Sequence, residues 1–247
     1  HVSCLAEQAK ILMDEAEEDN LDYKVKFERF RRWHACGVCE QDYHGVVNCA
    51  LGWACWKTYV GRPEAHWTRG SAMQLLGSGL SHADRDEEAL SVREAELSME
   101  RRLGASEETI LAVQGNLANT YQKLGRIEAL NMYRDVYSGW LKLKGEENQN
   151  TLIAANNHGT FLSSLKRFEE ARSLLRRTIP VARRVLGESN EITLKMRNIY
   201  AGSLVLDNGA TLEDLREAIK TFEDLARTTR RVFGGAHPFV VDLELSL

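Results

Sequence analysis

Apolar residues return along this chain at steps of three and four. Leu5, Ala9, Leu12 and Ala16 put one apolar face on a helix over about 4–18. Asn20 interrupts that pattern. Tyr23, Phe27 and Phe30 then open a second helical stripe, set among Lys24, Lys26, Arg29, Arg31 and Arg32. Trp53, Trp56 and Tyr59 predict a packed amphipathic helix from about 47 to 59. Gly61-Arg62-Pro63-Glu64 is a break. The next helix is expected to start near Pro63, since a first turn tolerates proline.

From about residue 66 the pattern becomes periodic. Leu103-Gly104, Lys144-Gly145, Leu186-Gly187 and Phe233-Gly234 each close a stretch rich in Arg, Lys and Leu. The glycines step 104→145, 145→187 and 187→234, which is 41, 42 and 47 residues. A period of this size with helical patterning inside it predicts stacked helix pairs. The copies align in phase: Leu76-Gly77…Leu80…Ala89, Leu117-Ala118…Tyr121…Leu130, His158-Gly159…Leu162…Ala171 and Tyr200-Ala201…Leu204…Ala218. Small residues at fixed phase let paired helices approach to roughly 8–10 Å. First helices should end at Leu124-Gly125-Arg126 and Leu165-Lys166-Arg167, and second helices at the Leu-Gly steps, with glycine in the left-handed C′ conformation.

Three local departures carry their own expectations. Gly125-Arg126-Ile127-Glu128-Ala129-Leu130 is one residue short of Lys166-Arg167-Phe168-Glu169-Glu170-Ala171, which predicts a tightened turn or altered helix start. Asp207-Asn208-Gly209-Ala210 is a turn, and Thr211-Leu212-Glu213-Asp214 matches a capping box. Pro180 falls inside a second helix and should kink it. The expected division is 1–62 for the N-terminal helices and Cys-rich segment, and 63–247 for repeats at about 63–104, 105–145, 146–187 and 188–234, with a partial fifth unit at 235–247.

The repeat motifs, with Asn116-Leu117-Ala118-Asn119-Thr120-Tyr121…Leu124-Gly125-Arg126 and Arg167-Phe168-Glu169-Glu170-Ala171, resemble the tetratricopeptide repeat (TPR). The long period, the closing Leu-Gly and Gly235-Ala236-His237-Pro238 are similar to its kinesin-light-chain type. The resemblance covers roughly 66–247. It implies an all-α fold, a right-handed α-solenoid of TPR-type helix hairpins; the N-terminal helices, outside the resemblance, are expected to form a helical cap that is a candidate for zinc binding. It also implies a non-catalytic protein–protein interaction scaffold holding a peptide or protein in its concave groove, which the first helix of each pair lines. The polar residues selected for that groove are Asn116, Asn119 and Lys123, then Asn156, Asn157 and Thr160, then Lys195 and Asn198. Asparagine amides both donate to and accept from an extended backbone. Lys195, Lys123, Arg126 and Arg167 would favour an acidic peptide.

Charge and composition narrow the classes. The net charge of −4 gives no global field for nucleic acid or membrane. No apolar run approaches the roughly 20 residues of a membrane span. Four of the five cysteines crowd into Cys36–Cys55, which reads as reduced thiols or metal ligands in a cytoplasmic protein. Cys36-x2-Cys39-x4-His44-x4-Cys49 has the spacing of a CCHC zinc knuckle, so one structural zinc is a candidate cofactor. Gly37 and Tyr43 depart from that motif, and His34 and Cys55 offer other ligands. The competing expectation is buried free cysteine that joins the N-terminal helices to the first repeat. A knuckle beside the basic run raises an alternative function, a zinc-dependent RNA-binding or ubiquitin-pathway adaptor. No phosphate loop, nucleophile elbow, zincin motif or dinucleotide fingerprint is present, so catalysis is not expected.

Overall fold

The computed structural model describes residues 1–234 and residue 240. The expected partial unit at 235–247, residue 240 apart, lies outside the described residues. Among them the protein is all-α, with eleven α-helices and no strand. The helices are α1 Val2–Glu18, α2 Tyr23–Phe30, α3 Gly45–Tyr59, α4 Trp67–His82, α5 Asp86–Arg102 and α6 Glu107–Lys123, then α7 Glu128–Lys144, α8 Gln149–Ser164, α9 Phe168–Val185, α10 Glu191–Val205 and α11 Leu212–Phe233. They form two compact units, His1–Arg126 and Ile127–Leu247.

In the first unit, α1, α2 and α3 close around Ala9, Met13, Phe30, Trp33, Cys55, Tyr59 and Ala72. Trp33 and Phe30 both meet the Tyr59 ring, at centroid distances of 6.0 and 5.9 Å. Arg62 grips the Glu17 carboxylate with two nitrogens at 2.7 and 2.8 Å, tying the end of α1 to the turn after α3. The sequence boundary at 62/63 therefore falls inside this unit. Its reason is the crossing of α3 and α4. A Cβ on Gly79 would come within 2.8 Å of Asn48 O and Cys49 Cα, and one on Gly52 within 3.1 Å of Leu75 O and Leu76 Cα. Two backbones in contact at paired glycines cannot separate the Cys-rich helix from the first repeat.

In the second unit each helix packs on the next in chain order, and α8 also packs directly on α10. No comparable packing joins α9 to α11. The first helices of the pairs are therefore side by side, and the second helices splay. A core of Leu152, Ala155, Leu162, Ala171, Leu175, Leu194, Met196, Ala201, Leu204, Ala218 and Leu225 runs between them. The aligned small residues Ala171, Ala201 and Ala218 are wholly buried, and a Cβ on Gly159 would press on Leu175 at 3.3 Å.

The turns explain the period. After α4, α6 and α8 the chain closes the same way: Arg85 N donates to Leu80 O at 3.0 Å, Arg126 N to Tyr121 O and Arg167 N to Leu162 O, both at 2.9 Å. These six-to-one bonds are Schellman closures and need a positive φ at the residue before each arginine. That residue is glycine only once: Asp84 has φ 56°, Gly125 67° and Lys166 59°. The second helices end at Gly104, Gly145, Gly187 and Gly234, all with positive φ. At Gly145 and Gly234, ψ is 178° and 156°, so these two are extended mirror-region caps, closed to residues with a Cβ, rather than left-handed ones.

The shortened second copy does have an altered helix start. Ile127 is helical but uncapped, and Leu130 N bonds Ile127 O three residues back, whereas Ala89 and Ala171 bond four back. The capping box is present at Thr211 and Asp214. Pro180 lies within the continuous helix α9. One helix start differs from the sequence expectation: α4 begins at Trp67, not near Pro63. His66 N bonds Pro63 O at 2.9 Å, which closes a separate turn first.

Gly79→Ala forces two backbones apart. It should lower unfolding stability by about 1–3 kcal/mol in a denaturant titration, while Gly202→Ala, whose Cβ meets nothing, should be neutral or mildly stabilising.

Candidate partner-binding face

The eight residues selected for the groove do not share one environment. On α8 and α10, Asn157, Thr160, Lys195 and Asn198 are partly exposed. Asn156 is not: it is 7% exposed, its Nδ2 donates to Asn157 Oδ1 at 3.2 Å, and its own Oδ1 is buried without a hydrogen bond. The Thr160 hydroxyl donates back to Asn156 O at 2.8 Å. On α6, in the first unit, Asn116 is half-buried and Asn119 exposed. Lys123 turns the other way. Its Nζ donates to Ser81 O at 2.5 Å and lies 3.6 Å from Asp86 Oδ1, so it fastens α6 to the α4–α5 turn.

The cations expected to favour acidic ligands are already paired. Lys195 meets Glu191 at 2.6 Å, Arg126 meets Glu87 at 3.1 Å and Arg167 meets Glu170 at 2.5 Å. Sequence reasoning passed over Gly202. It stands one turn beyond Asn198 on α10 and opens clear space on that face. Nor was His158 chosen, although its Nδ1 is buried without a partner and burial holds its pKa below the usual histidine range, with Arg167 adding to the effect.

The cysteine and histidine residues are divided among three surroundings. Cys36 and Cys39 lie on a hairpin turn whose ends pair at Ala35 and Asp42. Backbone N–H groups of Cys39 and Val38 hold the Cys36 thiol below its ordinary pKa. Cys49 is buried in α3 against Leu76, Leu80 and Ala89, with Arg85 Nη1 at 3.9 Å from its sulfur. His44 sits before α3 with its ring 6.4 Å from that of His82, and Asn48 Nδ2 is 2.8 Å from His82 Nδ1. Among the described residues no three His, Cys, Asp or Glu side chains group so as to hold a metal ion. The described structure does not bring Cys36, Cys39, His44 and Cys49 together as one group of ligands. Helix α3 begins right after His44 and carries Cys49 into the core beside Leu76, Leu80 and Ala89.

Residues 109–184 match the family model described as Tetratricopeptide repeat. The match runs from α6 into α9, less than half of the chain. Over nearly the whole chain the fold is similar to that of solved proteins of helical repeats. BtubC (BKLC) from P. vanneervenii superposes with a TM-score of 0.65 at 14% identity, over 96% of this chain and 92% of that one. A Podosopora anserina putative kinesin light chain with nearly identical TPR-like repeats gives 0.57 at 16% identity, over 94% and 98%. A singly substituted form of that protein gives 0.59 at 16% identity, over 94% and 97%. No curated protein matches the chain.

Within the first TPR-like pair, α4–α5, the core holds a charge pair. Arg93 and Glu96 are 5% and 3% exposed. They stand four and seven residues after Ala89, where the later repeats have Tyr133, Leu175 and Phe222, and Val136, Thr178 and Leu225. Arg93 lies over Gly77 and donates Nη2 to Ser78 Oγ at 3.2 Å, while its Nε and Nη1 and Glu96 Oε2 have no hydrogen bond. Buried titratable groups mark functional sites often enough to be considered first. Here they occupy a core phase, and the pair is a packing element. Burial pushes the Glu96 carboxyl from 4.5 up to about 7, with Arg93 opposing and Glu100 adding. A carboxyl raised on folding is most stabilising while protonated. Its contribution is present below pH 4.5 and declines through pH 7, by up to roughly 3 kcal/mol.

The double substitution Arg93→Leu/Glu96→Leu should raise unfolding stability by about 1–4 kcal/mol at pH 8. The gain over wild type should shrink at pH 5, as read in parallel urea titrations at the two pH values.

Proposed function

We propose that this protein is a non-catalytic scaffold that binds a peptide or protein partner along the first-helix face of its TPR pairs. One observation carries this reading. In the second unit α8 and α10 lie side by side and leave Asn157, Thr160, Lys195 and Asn198 partly exposed, with open space at Gly202. Partly exposed amides on close-packed, rigid helices suit an extended main chain, because each can donate and accept. In the first unit, Asn116 and Asn119 are the counterparts on α6.

The ligand we infer is a peptide read mainly through its backbone. An acidic preference has less support, since Lys195, Lys123, Arg126 and Arg167 spend their charge on carboxylates of the chain itself. Repeats of this kind act by binding rather than by chemistry. A cytoplasmic setting suits the five free cysteines. No helix among the described residues is long and apolar enough to cross a membrane. The RNA-binding or ubiquitin-pathway alternative leaned on a zinc knuckle, and no observation favours it.

Peptides selected against the wild-type protein from a random display library test the proposal. Gly202→Trp and Asn198→Trp should each weaken the selected peptides at least about tenfold, some 1.4 kcal/mol, with helicity by circular dichroism unchanged. Arg184→Trp, on the exposed side of α9, should leave binding intact. Equal affinity for all three variants would remove the first-helix face from consideration.

A further inference from the structure

Cys36 and Cys39 belong to neither the core nor the partner-binding face. Their hairpin is tightly specified. Cys36 N donates to Gln41 O at 2.9 Å, Glu40 N to Cys36 O at 3.1 Å and Tyr43 N to His34 O at 2.7 Å. Glu40 adopts φ 57° to make the return. The bond from Glu40 N to Cys36 O closes one α-turn, in which residues three apart lie within the roughly 7 Å that a disulfide bridges, and the Cys39 side chain hydrogen-bonds that of Cys36. Cys39 is exposed and Cys36 half-exposed. Val38 N donates to Cys36 Sγ at 3.4 Å, and Arg32 anchors the hairpin by donating Nη1 to Cys36 O at 3.1 Å. A donor N–H at sulfur and a nearby guanidinium both favour negative charge on Cys36. Cys49 and Cys55 are buried in other clusters, and Cys4, though exposed, has no second cysteine within a turn of α1 to close a disulfide with.

The geometry points to a redox-active dithiol: Cys36 is the attacking thiol, Cys39 the resolving one, and the substrate is a small exposed disulfide of the glutathione class. The Cys36 thiolate attacks one sulfur of the disulfide. The S–S bond breaks, one thiolate leaves and a mixed disulfide forms on Cys36. The Cys39 thiolate then attacks Cys36 Sγ, closes the intramolecular disulfide and expels the second thiolate. The protons of Cys36 and Cys39 end on the two released thiols, so two protein thiols are oxidised as one disulfide is reduced, and the reverse runs in excess thiol. Among the described residues no third His, Cys, Asp or Glu joins the two sulfurs in a group that could hold a metal ion.

The test is equilibration of the purified chain in oxidised and reduced glutathione at varied ratio, quenching with an alkylating reagent, and peptide mass mapping. Two of the five thiols should disappear together, in one peptide linked between Cys36 and Cys39. The Cys39→Ser variant should instead hold one glutathione on Cys36, and the Cys36→Ser variant should form no internal disulfide. Three results overturn the proposal. Cys36 and Cys39 could stay fully alkylated at the most oxidising ratio. The variants could give the wild-type pattern. The pair could prove unreactive until a chelator removes bound zinc.

Discussion

Close approach of helix backbones at small residues governs this molecule. Gly79 touches the backbone of Asn48 and Cys49, and Gly52 touches that of Leu75 and Leu76. In the second unit Ala171, Ala201 and Ala218 are wholly buried between helices, and Gly159 leaves room for the Leu175 side chain. A larger side chain at any of these positions would lever two helices apart and disturb the pairs stacked on them. Within each unit the repeat helices lean on one another in chain order, so the spacing set at the small residues fixes which helices stand side by side.

The turns enforce the same repeat by backbone chemistry. Three first helices end in one hydrogen-bonding pattern, although only one places glycine at the positive-φ position. Asp84 and Lys166 take that conformation at a cost of roughly 1 kcal/mol, because the six-to-one bond and the buried alanine that follows leave no other exit. The arginine after each of them then meets a glutamate: Arg85 with Glu88, Arg126 with Glu87, and Arg167 with Glu170. Charges that look available in the sequence are thus consumed locally, which bears directly on the chemistry of any ligand.

The zinc spacing and the buried Arg93–Glu96 pair teach the same lesson from opposite sides. Cys36, Cys39, His44 and Cys49 are close in sequence, yet a helix starting at Gly45 carries Cys49 into the core, and spacing along the chain ceases to be spacing between ligands. Arg93 and Glu96 read as ordinary polar positions on α5. Their phase relative to Ala89 makes them core, and only alignment with Leu175 and Thr178 of a later repeat exposes the substitution.

Periodicity, small-residue phase, the closing glycines and the Thr211 capping box were legible because each is a local or repeating signal, and the helical fold follows from them. The helix start at Trp67, the glycine crossing that binds α3 to α4, and the burial of Asn156 were not. Each depends on which neighbour lies across a contact, and one-dimensional order does not encode that. Side-chain direction had the same fate. A helix offers Lys123 and Asn119 one turn apart, and the packing of α6 against the α4–α5 turn decides that the lysine is drawn to Ser81 and Asp86.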